Sequence, residues 1–561
     1  MIAEMLSQNI HIAPQTVGKL LKEERLEVPP SQRSYRWKVE HAEDLFRDIK
    51  KAIEDDAEEY FLGSIVSIKT NGRILIYDGQ QRLATTMILI AAIRNELLRF
   101  ENTKDAAIAE SHFLFSERRG GVEADPHLTL NLEDKDFFFK SILPRPGSQP
   151  KRTTATRMRD SHKRMEAVAR YAKEFLQGLN KNERPAEADK RLNLWLDFIE
   201  HSLHVIWVQV SDERTAFTIF ETMNDRGLKL SAADLLKNFL HATADDRRQE
   251  IVHKWSSMTG VLETVEGEEE DVVEYIRCFW VSRHGHTRTR YLYDRIKEKI
   301  TNKNKALTLA SELESTAQDY AAIVMASHER TTDRGEKVKS DIDSVKVLGV
   351  TQLRPMLLSA FSKLRHGQFE ELLHRSVAWS VRFMVSGTPS GTIEGYYARI
   401  AVDIWEDKIT TAEAATVVMN AILPNDDQFS VSFANCVESR AKIARYYLHA
   451  LQKTEDASAP DMELTLEHIL PVKRDAHWSH FSEDEHRAFL HRLGNLALLT
   501  YKDNGGSQGT DYAFKKNVLG DPKNGSLTKD AAKHNSWSIA EIEARQNRMA
   551  KIAVKTWPLS Y

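Results

Sequence analysis

The segment YFLGSIVSIKTNGRILIYDGQQRLATTMILI, residues 60–90, limits the possible folds more than any other part of this chain. Two β-rich runs, Ser64–Ile68 and Arg73–Tyr77, are separated by an Asn-Gly pair, which is typical of a tight hairpin turn. The apolar spacing that follows predicts a helix from about Leu83 to Leu98. The DGQQR sequence between the second strand and this helix is therefore expected on a strand-to-helix turn.

The DGQQR turn, residues 78–82, has the composition of a phosphate-binding site. A strand-to-helix turn directs free backbone N–H groups and the positive end of the helix dipole toward one point. Gly79 allows a close approach of phosphate to the backbone, and Arg82 can contact two phosphate oxygens at once. Asp78 suits a magnesium ion or a ribose hydroxyl, while Gln80 and Gln81 can orient a water molecule or donate hydrogen bonds. The simpler alternative is a polar turn capped by Asp78.

A second polar segment, VPPSQRSYRW at residues 28–37, interleaves arginine with aromatic residues, and we call it the QR-aromatic segment. Tyr35 and Trp37 suit stacking on a base, and Arg33 and Arg36 suit contact with phosphate. The alternative is an irregular segment in which Trp37 anchors the core.

The densest basic stretch lies further along, between residues 151 and 164. It predicts contact with DNA phosphates without sequence readout, or else a solvated helix face. Its cations are Lys151, Arg152, Arg157, Arg159, Lys163 and Arg164.

Two C-terminal motifs, LTLEHILP at 464–471 and RLGNLALLTYKDN at 492–504, contain the residue types of a one-metal nuclease. Such a site needs a base that activates water, ligands for a divalent cation and a group that orients the base. His468 suits the base because its pKa lies near neutrality, and Glu467 offers a hard oxygen ligand. Neighbouring side chains on a strand point to opposite faces, so the backbone must twist or bulge for both to serve one site. The simpler alternative is that His468 caps a turn before Pro471.

Four further histidines, His477, His480, His486 and His491, lie between these motifs. A zinc site is disfavoured because the region has neither a cysteine partner nor a helical HExxH pattern. We interpret these histidines as surface residues.

The length of 561 residues exceeds what one hydrophobic core supports, so several domains are expected. The net charge of −4 confines any DNA contact to particular surfaces. The two cysteines lie far apart, which excludes a thiolate zinc site and a disulfide framework and fits a reducing cytoplasm. The first twenty residues lack the pattern of a secretory signal, and no apolar run is long enough to span a membrane. We place the domains at 1–245, 246–455 and 456–561, the middle one helical.

Four motifs, in their order along the chain, resemble the ParB-like nucleotide-binding domain of GmrSD-type modification-dependent (type IV) restriction enzymes. They are VPPSQRSYRW, FLGSIV, YDGQQRLATTMIL and FTIFETMNDRGLKLSAADLLKNFL. The resemblance implies that the DGQQR turn binds and hydrolyses a nucleoside triphosphate, GTP or ATP, and that the QR-aromatic segment senses modified DNA. Ser31, preceded by Pro30, stands where the family has a polar or aromatic residue, which leaves the shape of a sensing pocket open. The implied nucleotide-binding residues are Asp78, Gly79, Gln80, Gln81, Arg82, Gln32 and Arg33, the implied DNA-sensing residues are Tyr35, Arg36 and Trp37, and Asn224, Asp225 and Arg226 close the site.

The C-terminal motifs, with Phe514 and a closing helical run at 537–557, resemble the HNH-like (ββα-metal) nuclease domain of the same enzymes. By this resemblance His468 is the general base, Asn495 holds His468 or its loop in place, and Lys516 contacts the scissile phosphate.

The metal ligands implied by the same resemblance are Glu467 and Asn504. Family members often carry Asn where this chain has Asp511, and the loop from Asn504 to Asp511 is longer than usual. Asp511 is therefore an alternative third ligand.

Together these patterns predict an α+β, predominantly helical chain with a ParB-like α/β domain, a helical middle region and a C-terminal ββα-metal domain. The predicted function is a nucleotide-dependent endonuclease of antiphage defence that cleaves modified phage DNA with Mg²⁺ or Mn²⁺. Glucosylated hydroxymethylcytosine and a phosphorothioate backbone are both compatible with it, as are a homodimer and partner proteins of a defence operon. The alternatives are a nickase or nuclease not restricted to modified DNA, a non-catalytic ParB-like regulator, and a toxin-like ribonuclease.

Overall fold

Helices make up most of the chain in the computed structural model, and the strands among its described residues form an N-terminal sheet and two small strand pairs. The predicted α+β, predominantly helical class is therefore confirmed. The structure describes residues 10–30, 32–70, 72–116, 125–146, 158–181, 183–211, 215–216, 219, 232–265, 270–456, 464–507 and 511–559.

The N-terminal sheet has six strands in the order β1-β8-β3-β4-β2-β7. Its pairings are mixed: β1 with β8 and β3 with β4 are antiparallel, whereas β8 with β3, β4 with β2, and β2 with β7 are parallel. The predicted hairpin is confirmed as the antiparallel pair β3–β4. The strands are β1 Ile10–Thr16, β2 Leu26–Glu27, β3 Tyr60–Thr70, β4 Arg73–Asp78, β5 Phe115–Ser116, β6 Asp125–Pro126, β7 Leu128–Thr129, β8 Leu203–Val210, β9 Leu464–His468 and β10 Leu496–Thr500, with β5 pairing β6 and β9 pairing β10.

Helices of the first half of the chain surround the N-terminal sheet or follow it. They are α1 Val17–Glu23, α2 Val39–Glu54, α3 Gln80–Arg99, α4 Thr103–Ala109, α5 Lys135–Phe137, α6 Asp160–Leu179, α7 Pro185–His201, α8 Ala232–Thr243, α9 Arg248–Leu262, α10 Glu270–His284, α11 Thr289–Lys299 and α12 Lys303–Val324. Short π-helical turns span Glu110–Leu114 and Phe138–Ile142, and a 3-10 turn spans Asp245–Arg247.

Helix α3 is the centre of the first core, because nearly all of its residues are buried rather than one face alone. A buried helix lacks the polar stripe of a surface helix. Its apolar residues join those of α1, α2, α6 and α7 in one cluster. The DGQQR turn is thus attached to one of the most thoroughly packed elements of the fold.

The second half of the chain is a run of helices followed by the β9–β10 pair. These helices are α13 Glu329–Thr332, α14 Glu336–Leu348, α15 Arg354–Lys363, α16 His366–Ser386, α17 Ser390–Trp405, α18 Ala412–Met419, α19 Asp426–Ala434, α20 Ala441–Glu455, α21 Glu483–Phe489, α22 Tyr501–Ser507, α23 Tyr512–Leu519, α24 Ser526–Ala531 and α25 Ile539–Thr556. Two 3-10 turns span Ala476–Trp478 and Leu493–Asn495.

The C-terminal helix α25 is joined to the helical region by buried polar side chains. The Gln546 side chain donates to the backbone carbonyls of Phe433 and Cys436 at 2.9 and 2.8 Å and accepts from Gly494 N–H at 3.1 Å. Fully buried Arg382 of α16 donates to the Trp557 carbonyl at 2.7 Å. Leaving these groups unpaired in the interior would cost about 1–3 kcal/mol each, so α19 and α25 form one packed structure.

The chain forms two compact units, Met1–Val273 with Thr289–Glu314, and Glu274–Arg288 with Ser315–Tyr561. The division into three domains stays a prediction. No helix in the ranges given above is long and apolar enough to cross a membrane.

Candidate functional site

The DGQQR turn reverses direction at Gly79, which has a positive φ of 91° and precedes the first residue of α3. A Cβ at this position would lie 2.8 Å from Ile65 Cγ1 of β3, so a side chain is excluded as well as strained. The helix therefore begins at Gln80, three residues before the predicted start at Leu83. The reason is that one left-handed glycine completes the turn without further loop residues.

Arg82 lies in the first turn of α3 with its guanidinium over β3. It forms an ion pair with Asp78 at 3.3 Å and approaches the Leu62 carbonyl at 3.5 Å. Gly63 of β3, with a φ of 125°, makes room for it, because a Cβ there would lie 1.9 Å from Arg82 Nη1. The guanidinium is partly exposed and is therefore within reach of a ligand.

Gln81 connects the DGQQR turn to the QR-aromatic segment. Its buried side chain accepts from the Arg36 N–H at 2.7 Å and donates to the Ser34 carbonyl at 3.3 Å. Gln81 thus pairs with main-chain groups of the other motif and is not directed at solvent. The structure brings together two motifs that are more than forty residues apart in sequence.

Replacing Gln81 by methionine is expected to loosen the QR-aromatic segment while keeping the packing volume. Both main-chain partners would lose their hydrogen bonds, which corresponds to about 1–3 kcal/mol of local stability. Hydrogen–deuterium exchange of the peptide covering residues 32–37 measures this. Gln177→Met, which removes one side-chain bond from Gln177 of α6 to Glu96 of α3, is the control. Unchanged protection in the Gln81 variant would contradict the assignment.

The two aromatic residues of this segment are not open for base stacking. Tyr35 is 2% exposed, and its hydroxyl pairs with Thr85 Oγ1 at 2.6 Å. Burial raises the pKa of Tyr35 well above its usual value. Trp37 is half-buried against the core, with its ring 5.9 Å from the His41 ring. Trp37 therefore lies where the core-anchor alternative predicts it, and Tyr35 lines a cavity.

That cavity has a volume of about 120 Å³ and lies within the first unit. Arg33 and Arg36 reach it from the QR-aromatic segment, and Arg164 reaches it from α6. The Nε and Nη1 atoms of Arg33 are buried without a hydrogen-bond partner in the described residues. Arg36 is paired with Asp234 at 3.1 Å, and burial, with some repulsion from Arg33 and Arg164, lowers its pKa to about 10. An anionic group would satisfy the unpaired N–H groups of Arg33.

Other predicted residues of the first unit have structural contacts. Gln32 is buried, and its carbonyl accepts from Asn131 at 3.0 Å and from Lys237 at 3.2 Å. In the basic stretch, Arg159 forms an ion pair with Glu133, and Lys163 forms one with Asp160. Arg164 of the same stretch lines the cavity. The segment Asn224–Arg226 and residues 151–157 lie outside the described residues.

In the second unit, Glu467 and His468 end strand β9. The strand pairs regularly with β10, with Glu467 opposite Ala497 and His468 opposite Leu496. Consecutive side chains of such a strand point to opposite faces. The twist or bulge that would direct both side chains to one site is therefore not found here.

The Glu467 carboxylate is buried in an ion pair with Lys515 of α23. Lys515 Nζ lies 2.6 Å from Glu467 Oε1 and 2.6 Å from the His468 carbonyl oxygen. The side chains are only 7% and 2% exposed. Burial lowers the pKa of Lys515, and the Glu467 charge opposes this effect. The ammonium thus fixes both the carboxylate and the backbone at the end of β9.

His468 faces a second histidine on the other side of the strand. Its Nε2 atom lies 3.4 Å from Nδ1 of His491, and the two rings are nearly perpendicular. Burial, and then the neighbouring His491 and Lys515, lower the pKa of His468 to about 4. His468 is therefore neutral at physiological pH, as a general base must be.

His491 and His486 are half-buried, and His486 Nε2 donates to the Pro471 carbonyl at 2.8 Å. Both are less exposed than surface residues, because His486 bonds to the segment that follows β9 and His491 contacts the His468 ring. His477 and His480 are exposed, as expected.

Asn495 holds the loop after His468. Its Oδ1 accepts from the Leu470 N–H at 2.7 Å and from Trp537 Nε1 at 3.1 Å, and its Nδ2 donates to the carbonyls of Leu470 and Leu490. All four bonds are made at a fully buried side chain. Three of these contacts are with backbone groups and one is with the Trp537 side chain, and none is with the His468 ring.

The remaining predicted residues are each engaged elsewhere. Asn504 of α22 donates to Thr465 Oγ1 at 2.8 Å and to the Leu466 carbonyl at 3.0 Å. Asp511 caps α23 by accepting from the Phe514 N–H at 2.8 Å. Lys516 points to Asn535, with 3.3 Å between Nζ and Oδ1, and is half-buried.

These contacts do not fit a metal ion as they are arranged. The Glu467 charge is neutralised by an ammonium group, and Asp511 is used as a helix cap. Within the described ranges no group of three or more His, Cys, Asp or Glu side chains is placed to hold a metal ion. A cation at Glu467 would have to displace Lys515.

Two residues of this site, Lys515 and His491, are absent from the sequence-based prediction. The sequence does contain a signal for Lys515, because it lies four residues before Leu519 and therefore on the same side of a helix. In the structure both residues are buried on α23. Helical spacing thus directs Lys515 inward and Lys516 sideways. His491 had none beyond its place in a histidine-rich region.

Comparison with known protein families identifies two matching regions. Residues 17–241 match the GmrSD restriction endonuclease N-terminal domain, and residues 423–552 match the GmrSD restriction endonucleases C-terminal domain. No curated protein matches the chain. The second match begins at residue 423 and so includes α19 and α20, which pack on α25. Because the two domain models match in the expected order and together cover more than half of the sequence, the chain belongs to the GmrSD restriction endonuclease family.

Proposed function

We propose that this nuclease is a nucleotide-dependent endonuclease of antiphage defence that cleaves modified DNA. Its family makes it a restriction nuclease that acts on DNA. The observation that carries the finer proposal is the Gln81 side chain, which is bonded to the backbone of the segment proposed to sense modification. A ligand that moves either motif must then move the other.

The first unit is proposed to bind GTP or ATP through the DGQQR turn. The phosphates would contact the N-terminus of α3 and the exposed part of Arg82. Asp78 orients Arg82 through their ion pair. The support for a nearby anion is the Arg33 side chain in the segment that Gln81 holds, because it has two buried N–H groups without a partner in the described residues.

The cavity beside Arg33 and Arg36 is proposed to sense the DNA modification. A bulky sugar or a phosphorothioate would approach Arg33 and Arg36 and would alter the ion pair of Arg36 with Asp234. Tyr35 would contribute one wall and Trp37 would hold the segment to the core. Which modification is read depends on the contacts that Arg33 makes once a ligand is present.

Cleavage is proposed to use His468 as general base. With Nε2 bonded to His491, the Nδ1 atom is left to accept a proton from water. The water oxygen bonds to phosphorus, the bond from phosphorus to the leaving oxygen breaks, and that oxygen takes up a proton. Lys515 holds the His468 carbonyl and so keeps the end of β9 in place during this step.

Magnesium or manganese dependence is proposed from the family resemblance alone. No step is assigned to the ion, because Glu467 is paired with Lys515. Cleavage in the presence of a chelator, compared with added Mg²⁺ or Mn²⁺, measures this dependence directly.

The proposal as a whole is tested by digestion of modified and unmodified phage DNA by the full chain. Cleavage confined to DNA that contains glucosylated hydroxymethylcytosine or phosphorothioate is the expected result. Equal cleavage of both kinds of DNA would overturn modification sensing and leave the nuclease assignment in place.

The pH dependence of cleavage is expected to reflect the lowered pKa of His468. Only the neutral ring accepts a proton, and a pKa of about 4 keeps the ring neutral down to mildly acidic pH. The acid limb of kcat/KM, which reports the free enzyme, is therefore expected near pH 4. The limb of kcat is expected at higher pH, because a bound phosphodiester favours the protonated ring. A kcat/KM limb near pH 6.5, the ordinary value, would contradict this environment for the base.

A further inference from the structure

A groove of about 570 Å³ lies in the second unit beside the strand that carries His468. We call it the α20 groove. Helix α20 forms one side, and β9 with the start of α22 forms the other. The residues used in the argument are Lys442, Arg445, Tyr446 and His449 from α20, Thr465 from β9 and Tyr501 from α22.

The charged side chains that line the α20 groove are those of Lys442 and Arg445. Lys442, Arg445 and His449 recur at intervals of three and four residues, which places them on one face of the helix. Lys442 and Arg445 are exposed and have no hydrogen-bond or ion-pair partner in the described part of the chain. No Asp or Glu is among the residues that line the groove. Unpaired cations facing an open groove favour a polyanion.

Aromatic rings accompany these cations. Tyr501 is 84% exposed, which is unusual for a side chain of this size, and Tyr446 is half-buried. Asn504 fixes α22 against β9 through Thr465 Oγ1, and Thr500 Oγ1 is bonded to Asp503 at the start of the same helix. The exposed ring of Tyr501 is therefore presented by a helix that is held in position.

The α20 groove is close enough to His468 to serve the same DNA molecule. Leu464, which also lines the groove, precedes His468 by four residues on β9, so the two side chains are on the same face, about 13 Å apart at roughly 3.3 Å per residue. Successive nucleotides of one strand advance about 3.4 Å along a duplex. A nucleotide in the groove is thus about four steps from a phosphate at His468.

We propose that the α20 groove binds the DNA backbone next to the cleaved phosphate, with Lys442 and Arg445 on phosphates and Tyr501 against a base or sugar. This inference rests on the proposed function of His468 as the base of a DNA nuclease. The groove contributes binding without sequence readout, since phosphate contacts position DNA and aromatic stacking tolerates any base.

The test is the salt dependence of DNA binding by the full chain. Fluorescence anisotropy with a labelled DNA duplex, without divalent cations so that cleavage does not interfere, gives log K against log salt. Each phosphate contact contributes a slope of about −0.9. Lys442→Gln combined with Arg445→Gln is expected to reduce the slope by about 2. Tyr501→Ala is expected to weaken binding about tenfold, and Tyr501→Phe to restore it.

A charge-matched control is Lys551→Gln combined with Lys555→Gln, which removes two exposed cations of α25 that do not line the groove. An unchanged slope in the groove variant, or an equal change of slope in the control, would overturn the inference. If the wild-type chain still binds DNA in that case, the nuclease proposal remains intact. Loss of RNA binding without loss of DNA binding would also overturn it. A wild-type chain that binds no DNA at any salt concentration would instead refute the proposed function.

Discussion

Replacing His468 by alanine is expected to reduce DNA cleavage by about 10²- to 10⁴-fold, the usual contribution of a general base. The half-buried ring is the only proton acceptor that the proposal assigns to the attacking water. Its removal also leaves His491 Nδ1 without its partner at 3.4 Å, which does not restore a base at the same position. Conversion of supercoiled plasmid or modified phage DNA to nicked and linear forms measures the rate.

The control for this variant is His477→Ala, which removes an exposed histidine nine positions along the chain. We expect it to cleave at the wild-type rate, and both variants to unfold at the wild-type temperature. Undiminished cleavage by His468→Ala would show that the C-terminal motif is not the cleavage site of this nuclease.

The second large effect is expected from Lys515→Met. This change leaves the Glu467 carboxylate buried without a counter-ion and the His468 carbonyl without its donor. Breaking a buried ion pair from one side costs about 3–5 kcal/mol. A lowered urea midpoint, together with faster hydrogen exchange of the amides in β9 and β10, is the expected observation.

Two further variants separate the ion pair from general effects on α23. Lys515→Met combined with Glu467→Gln removes the unpaired charge and is expected to recover much of the lost stability, since neutral replacements of buried pairs are often tolerated. Lys516→Met, at the neighbouring half-buried position, is expected to change stability by less than about 0.5 kcal/mol. Equal destabilisation by Lys515→Met and Lys516→Met would contradict the assignment of Lys515.

The local elements around the DGQQR turn were predictable from sequence because their signals are local. The Asn-Gly pair between β-rich runs identified the β3–β4 hairpin, and apolar spacing identified α3. The start of α3 was placed too late, since the left-handed conformation of Gly79 shortens the turn and depends on the close approach of Ile65. That contact is made in the tertiary structure and leaves no mark in the neighbouring sequence.

The contacts that define the C-terminal site were less predictable because they join distant segments. The sequence identified His468, but its partner His491 comes from beyond α21, and Lys515 comes from α23. The family motif drew attention to Lys516, whereas the packing of α23 directs Lys515 to Glu467. Motif matching ranks residues by type and order, and it does not determine which side of a short helix is buried.

The extent of the C-terminal region also depended on long-range contacts. We placed the start of the last domain at residue 456, while the family match begins at residue 423. Buried Gln546 of α25 bonds to the backbone of α19, and buried Arg382 of α16 bonds to both Asp426 and the Trp557 carbonyl. Such hydrogen bonds between a helix and a distant loop cannot be predicted from the amino-acid composition of either segment.

Control of cleavage by a nucleotide bound at the DGQQR turn is measured by the rate of DNA cleavage as GTP or ATP is added. Wild type, Arg82→Ala and Arg82→Lys would be compared on the same modified DNA with Mg²⁺ or Mn²⁺ present. We expect a nucleotide-dependent rate in wild type that is lost in Arg82→Ala and only partly kept in Arg82→Lys, because lysine cannot make the two-pronged contact of arginine. A wild-type rate that is the same with and without nucleotide, and unchanged in Arg82→Ala, would contradict it.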